Sequence, residues 1–95
     1  MRFSFEVGEK ERHRVDFSFN QFWGNLNISV DGVAVQRDFR LLSLQLVKRY
    51  EFTVGQQELH QIAIEKERKL LFAGLRKQKY RVFVDGQLTE EHEGF

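Results

Sequence analysis

Ninety-five residues make one domain, 1–95, with chain enough for a single core and a net stability of about 5–14 kcal/mol. Fifteen basic and 14 acidic residues are closely mixed and leave a formal net charge of +1, so no long-range field draws the chain to nucleic acid or an anionic membrane. There is no cysteine, which excludes a disulfide scaffold, a thiolate zinc site and a cysteine nucleophile together.

Strand periodicity dominates, with apolar residues alternating with polar ones. Phe3, Phe5 and Val7 alternate with Ser4 and Glu6, and Gly8-Glu9-Lys10-Glu11 is a polar turn, so residues 1–12 read as an N-terminal strand and turn. Val15, Phe17 and Phe19 form the next strand. Asn20 to Asn25 is a loop holding Phe22 and Trp23. Leu26, Ile28 and Val30 follow, and Asp31-Gly32 turns the chain, because Asp-Gly tolerates the positive φ of a tight hairpin. Val33 and Val35 begin a return strand that runs to about Phe39. Leu41 to Val47 fits either a helical turn or a strand buried on both faces. Tyr50, Phe52 and Val54 alternate up to Gly55, and His60, Ile62 and Ile64 follow. Residues 65–77 fit either a hairpin or a short helix. Tyr80, Val82 and Val84 lead to a second Asp-Gly turn at Asp85-Gly86. Leu88 begins a short last strand, and 90–95 reads as a polar tail.

These segments predict an all-β fold, an antiparallel β-sandwich of seven to eight strands. Val15, Phe17, Leu26, Ile28, Val30, Phe52, Val54, Ile62, Ile64, Val82 and Val84 supply most of its core. Ten Phe, one Trp and two Tyr give the apolar area to seal it. With no proline to blunt the sheet edges, the charges inside strands (Arg14, Asp16, Glu51, Arg81) read as edge protection.

No residue set carries a catalytic or metal signature. His13, His60 and His92 are far apart in sequence and lack the local spacing of metal ligands, so they read as surface or structural residues. No serine sits in a Gly-x-Ser-x-Gly elbow, and no glycine-rich phosphate loop is present. Asp31 and Asp85 are explained by their turns. The chain reads as a non-enzyme without cofactor or metal.

Two clusters remain as binding candidates. Lys66, Arg68, Lys69, Arg76, Lys77, Lys79 and Arg81 would share one end of the fold if 66–81 is a hairpin, and with Tyr80 or Phe72 would hold an anion or single-stranded nucleic acid. Phe22 and Trp23 either cap the core or anchor a protein partner.

The order of these features resembles the Fas apoptotic inhibitory molecule family. The shared features are an Ile-x-Val-Asp-Gly hairpin at Ile28–Gly32, a charged return strand at Arg37-Asp38-Phe39, and Tyr50-Glu51-Phe52-Thr53-Val54-Gly55. His60-Gln61-Ile62-Ala63-Ile64-Glu65 follows, and Tyr80 to Gly86 closes the pattern. Residues 13–89 are covered, with a longer stretch at 40–47. The resemblance implies a compact all-β sandwich and a non-enzymatic protein acting through protein–protein contacts. The expectation is a soluble, cytoplasmic interaction module with a protein partner or a second copy of itself. The alternative is an anion or single-stranded nucleic-acid binder built on residues 66–81. No membrane association is expected, because no run approaches the ~20 apolar residues of a spanning helix.

Overall fold

A computed structural model of the chain describes residues 1–20, 25–35, 40–44, 47–67 and 78–94, the segment 40–44 by its backbone. All regular structure among them is antiparallel strand. A four-stranded sheet is ordered β1(Arg2–Val7), β2(His13–Asn20), β3(Asn25–Val30), β4(Val33–Ala34). A five-stranded sheet is ordered β5(Arg40–Leu44), β6(Val47–Val54), β7(His60–Glu67), β8(Gln78–Val84), β9(Gln87–Gly94). Each sheet is a meander, so within a sheet every neighbouring strand is also the neighbour in sequence. Among the described residues no helix is long and apolar enough to cross a membrane.

Alternation works as predicted. Phe3, Phe5 and Val7 of β1, Val15, Phe17 and Phe19 of β2, and Ile28 of β3 meet Tyr50, Phe52, Val54, Ile62, Ile64, Tyr80 and Val82 of the other sheet in one core. Phe17, fully buried, stacks on Phe3 at 4.8 Å and meets Tyr80 edge-on at 5.4 Å between ring centroids. The core therefore includes aromatics of the first strand beyond the predicted set, whereas Leu26, Val30 and Val84 are only partly buried against it. Both Asp-Gly turns are real: Asp31 and Asp85 each have φ of 51°, followed by glycines at 81° and 82°.

Two expectations need correcting and one alternative is narrowed. Of the two readings of 41–47, residues 41–44 are strand and not a helical turn: they belong to β5, paired with β6 from Arg40↔Glu51 to Leu44↔Val47. The last strand does not stop near Leu88. It runs to Gly94, because Glu90, Glu91, His92 and Glu93 pair in register with Val82, Arg81, Tyr80 and Lys79. Arg14, Asp16, Glu51 and Arg81 do not guard edges, since their strands β2, β6 and β8 are paired on both sides. They stand on outer faces and pair with neighbouring side chains. Residues 65–67 are strand; the hairpin-or-helix question for 68–77 lies outside the described residues, as do Phe22 and Trp23.

Candidate functional site

The described chemistry concentrates at the end of the sandwich where β1 turns into β2 and β6 turns into β7. Gly8 (φ 101°) and Gly55 (φ 105°) open these two turns. A Cβ on either would lie 2.0 Å from a backbone oxygen, that of Glu11 or of Glu58, so only glycine fits. The tight turn aims three successive amides at one point, and in each case a carboxylate from the opposite sheet occupies that point. Glu58 accepts from the amides of Glu9 and Lys10 at 2.8 Å and of Glu11 at 3.3 Å. Glu11 accepts from Gln56 and Gln57 at 2.7 Å and from Glu58 at 3.3 Å. Each turn supplies the glutamate that closes the other, so this clasp ties the two sheets together at one end.

A histidine extends each half of the clasp. His13 Nε2 meets Glu11 at 2.5 Å, and its Nδ1 meets Asp31 at 2.5 Å. His60 repeats this with Glu58 at 2.5 Å and Asp85 at 2.6 Å. The two aspartates also accept the backbone amides of Arg14 and Gln61, both at 2.8 Å. A ring with a carboxylate on each nitrogen is most stable with both nitrogens protonated. The Asp31 and Glu11 bonds accordingly hold His13 above its usual pKa, and the Glu58 and Asp85 bonds do the same for His60. Glu11 falls to about 2 through its bond to His13 and the Gln57 and Gln56 amides, and Glu58 to about 2 through His60 and the Lys10 and Glu9 amides. Asp31 is lowered by the Arg14 amide and then His13, Asp85 by His60 and then the Gln61 amide.

These residues expose an internal repeat. Phe5-x-Val7-Gly8-x-x-Glu11-x-His13 recurs as Phe52-x-Val54-Gly55-x-x-Glu58-x-His60, and Val30-Asp31-Gly32 as Val84-Asp85-Gly86. Strand pairing repeats with it: Val7↔His13 matches Val54↔His60, Val15↔Val30 matches Ile62↔Val84, and Val30↔Val33 matches Val84↔Gln87. Strands β1 to β4 and β6 to β9 are thus two versions of one four-strand unit, packed face to face. Even contacts across the interface follow the repeat: Lys66 stands in its unit where Phe19 stands in the other, and its ammonium lies 3.6 Å from the Phe19 ring centroid. Asp31 and Asp85 are legible in the sequence as turn residues and His13 and His60 as structural ones, whereas Glu11 and Glu58 look like ordinary members of polar turns. The Val-Gly-x-x-Glu-x-His spacing, twice, was the signal that would have found them.

The clasp is not built for catalysis. Each of the two imidazoles has the carboxylate a general base needs, but on both nitrogens, which leaves no nitrogen to move a proton to or from a substrate. His92 stands apart from both, stacked on Phe3 at 4.2 Å with Nε2 2.9 Å from Glu90. Among the described residues no group of His, Asp and Glu is arranged to hold a metal ion.

Of the predicted cationic cluster, Lys66, Lys79 and Arg81 are described, and they do not share one surface. Lys66 is buried on the inner face of β7. Arg81 stands on the outer face, 3.2 Å from Glu65 and 2.9 Å from Glu67, and Lys79 is 3.7 Å from Glu91. Arg49 extends this ladder to Glu65 at 2.7 Å and Glu51 at 3.2 Å, with its guanidinium 5.3 Å from the Phe83 ring. Arg68, Lys69, Arg76 and Lys77 lie outside the described residues.

The four sheet edges differ sharply. β1 carries exposed Arg2 and Glu6, β4 is two residues long, and β9 carries Glu90, Glu91 and Glu93. Charge and shortness are the usual protections of an open edge. β5 is five residues long and carries a single charge, Arg40, followed by Leu41-Leu42-Ser43-Leu44. β5 is also the strand with no counterpart in the repeat, because the equivalent side of β1 carries no described strand. No family model, no curated protein and no solved structure matches this chain.

Proposed function

We propose that this protein is a non-enzymatic interaction module that binds an extended segment of a protein partner along the side of β5 that no described strand occupies. The observation that carries this reading is that β5 is surplus. Two four-strand units already bury the core and close the clasp, so the sandwich does not need a ninth strand for its own symmetry. Beyond Arg40, β5 carries no charge, so its backbone donors and acceptors meet an added strand with less electrostatic penalty than the charged strands β1 and β9 impose. The engaged histidines and the neutralised outer arginines support a role in contact rather than chemistry. The family resemblance implies the same kind of role.

The test compares wild type with Leu42→Glu, which places a charge in the middle of this edge. A partner retained by wild type from a cell extract should be lost by the variant, while far-ultraviolet circular dichroism stays the same. Addition of the purified partner should move the amide resonances of residues 41–44 more than those of β1 or β9. Retention unaffected by Leu42→Glu would remove β5 from the account.

A further inference from the structure

We infer that His13 is a pH-operated latch on the β3–β4 hairpin: its imidazolium holds Asp31 against the clasp, and loss of its proton releases residues 31–34 while the clasp and the core stay shut. The inference is independent of the reading of β5. It begins with what the ring joins. Glu11 belongs to the β1–β2 turn and Asp31 to the β3–β4 turn. His13 stands between them, with Nε2 2.5 Å from Glu11 and Nδ1 2.5 Å from Asp31. These two carboxylates are the charges that act on the ring. Val7, opposite His13 on β1, carries none. The neighbouring arginines turn elsewhere, Arg14 to Asp16 at 3.1 Å and Arg12 to Glu6 at 3.7 Å. From the other sheet, Glu58 meets this turn through the amides of Glu9, Lys10 and Glu11.

A neutral imidazole keeps one N–H, and its other nitrogen presents a lone pair. Between two carboxylates that lone pair must face a carboxylate oxygen, so one acid has to leave. The two are not equally held. Leaving would cost Glu11 three amide bonds, from Gln56, Gln57 and Glu58, whereas Asp31 has one, from Arg14. The Asp31 side chain is 49% exposed and that of Glu11 24%, so water replaces the lost contacts of Asp31 more readily. The proton therefore stays on Nε2, towards Glu11, and Asp31 turns out to solvent.

What this releases follows from a difference between the two units. β4 is two exposed residues, joined to β3 by the pairs Ser29↔Ala34 and Val30↔Val33. Its turn is tied to β2 through the side chain and amide of Asp31, both bonded to the Arg14 backbone at 2.8 Å. Val33, 69% exposed, adds little burial. His60 and Asp85 repeat the chemistry, but there the strand beyond the turn is β9, which pairs with β8 from Val84↔Gln87 to Gln78↔Gly94 and stays in place. The same loss of a proton thus loosens one turn and detaches a strand at the other. Detachment uncovers the β4 side of Ser29 and Val30, so this stretch of the β3 edge is covered while His13 is charged and offered when it is neutral.

The test is a nuclear magnetic resonance titration from about pH 5 to about pH 10, which brackets an imidazole whose usual pKa is 6.5. It follows the ring carbons of His13 and His60 and the backbone 13Cα shifts of residues 32–34 and 86–88, signals that amide exchange does not erase. In wild type, residues 32–34 should move towards random-coil values with the midpoint of His13, while residues 86–88 and the core residue Ile62 hold theirs. His13→Gln should show no such step, and His60→Gln should keep it. Asp31→Asn should hold the hairpin closed throughout, because a side-chain amide accepts from the Arg14 amide and donates to a bare ring nitrogen. Shifts at 32–34 that stay fixed while His13 titrates would overturn the latch. So would a step that follows His60, that persists in His13→Gln, or that appears equally at 86–88.

Discussion

Replacing Gly8 by alanine separates the clasp from an ordinary turn glycine, because the chain carries its own control. Gly32 also has positive φ, 81°, but a Cβ there meets nothing within 4 Å. Gly32→Ala should therefore cost only the strain of a left-handed residue, about 1–2 kcal/mol. Gly8→Ala bears that strain at φ 101° and also places its Cβ 2.0 Å from the Glu11 oxygen. Ordinary contact begins near 3.4 Å, so the turn must open by more than an ångström. Opening it moves the amides of Glu9, Lys10 and Glu11 off the Glu58 carboxylate. Strained backbone of this kind costs about 1–3 kcal/mol by itself, and the steric term adds to it. The expected loss exceeds that of Gly32→Ala by about 2 kcal/mol, equivalent to roughly 8–16 °C in Tm for a domain of this size. Gly55→Ala should match Gly8→Ala, since its Cβ would lie 2.0 Å from the Glu58 oxygen. Urea unfolding reads this directly, as a lower midpoint at unchanged slope. A Gly8→Ala protein no less stable than Gly32→Ala would refute the turn geometry on which the clasp depends.

Further outcomes follow from the same structure. Phe17→Ala removes a fully buried ring and two aromatic contacts and should cost about 3–5 kcal/mol, a large share of the total, measured by the same urea titration. The Tyr80 hydroxyl is buried with no hydrogen-bond partner among the described residues, and burial pushes its pKa up to about 12, so Tyr80→Phe should leave the thermal midpoint unchanged or raise it. A fall of several degrees would show that the hydroxyl is held. The clasp also sets a pH window. Glu11 and Glu58 lie at about 2 when folded against a usual 4.5, so their contribution is complete above 4.5 and fades as pH falls towards 2. His13 and His60 are raised, so theirs is complete below the usual 6.5 and fades as pH rises through the higher folded values. Thermal midpoints across pH should therefore peak between about 4.5 and 6.5 for wild type, and the alkaline decline should weaken in a His13→Gln/His60→Gln protein. An alkaline limb of equal slope in both would take the histidines out of the account.

Much of the fold could be read from residues acting locally. Asp-Gly demands positive φ wherever it turns a hairpin, so Asp31 and Asp85 marked the strand ends without knowledge of the rest. Alternation placed Ile28, Phe17, Ile62 and Val82 in the core because side-chain direction on a strand is set by parity alone. What depends on distant partners was less legible. Glu11 and Glu58 look like members of polar turns, and their role appears only when these two residues, 47 apart, are brought together. Arg14 and Arg81 could not be assigned to central strands from sequence, because strand order is a property of the whole sheet. The acidic run Glu90 to Glu93 has low strand propensity, yet the ladder to β8 organises it, with Thr89 Oγ1 donating to the Val82 carbonyl at 3.1 Å. The apolar run from Leu41 fits a helical turn as well as a strand by its spacing, and only the ladder to β6 decides for strand over 41–44.

The central claim is that two copies of one β-unit hold each other shut through their glutamates. Amide hydrogen exchange in Glu11→Ala tests it most directly. Loss of this carboxylate should speed exchange at Gln56, Gln57 and Glu58, in the opposite sheet, well before it does so at Glu9 and Lys10, and Glu58→Ala should give the mirror result. Exchange that quickens first in the mutated turn itself, or equally in both, would contradict the reciprocal clasp.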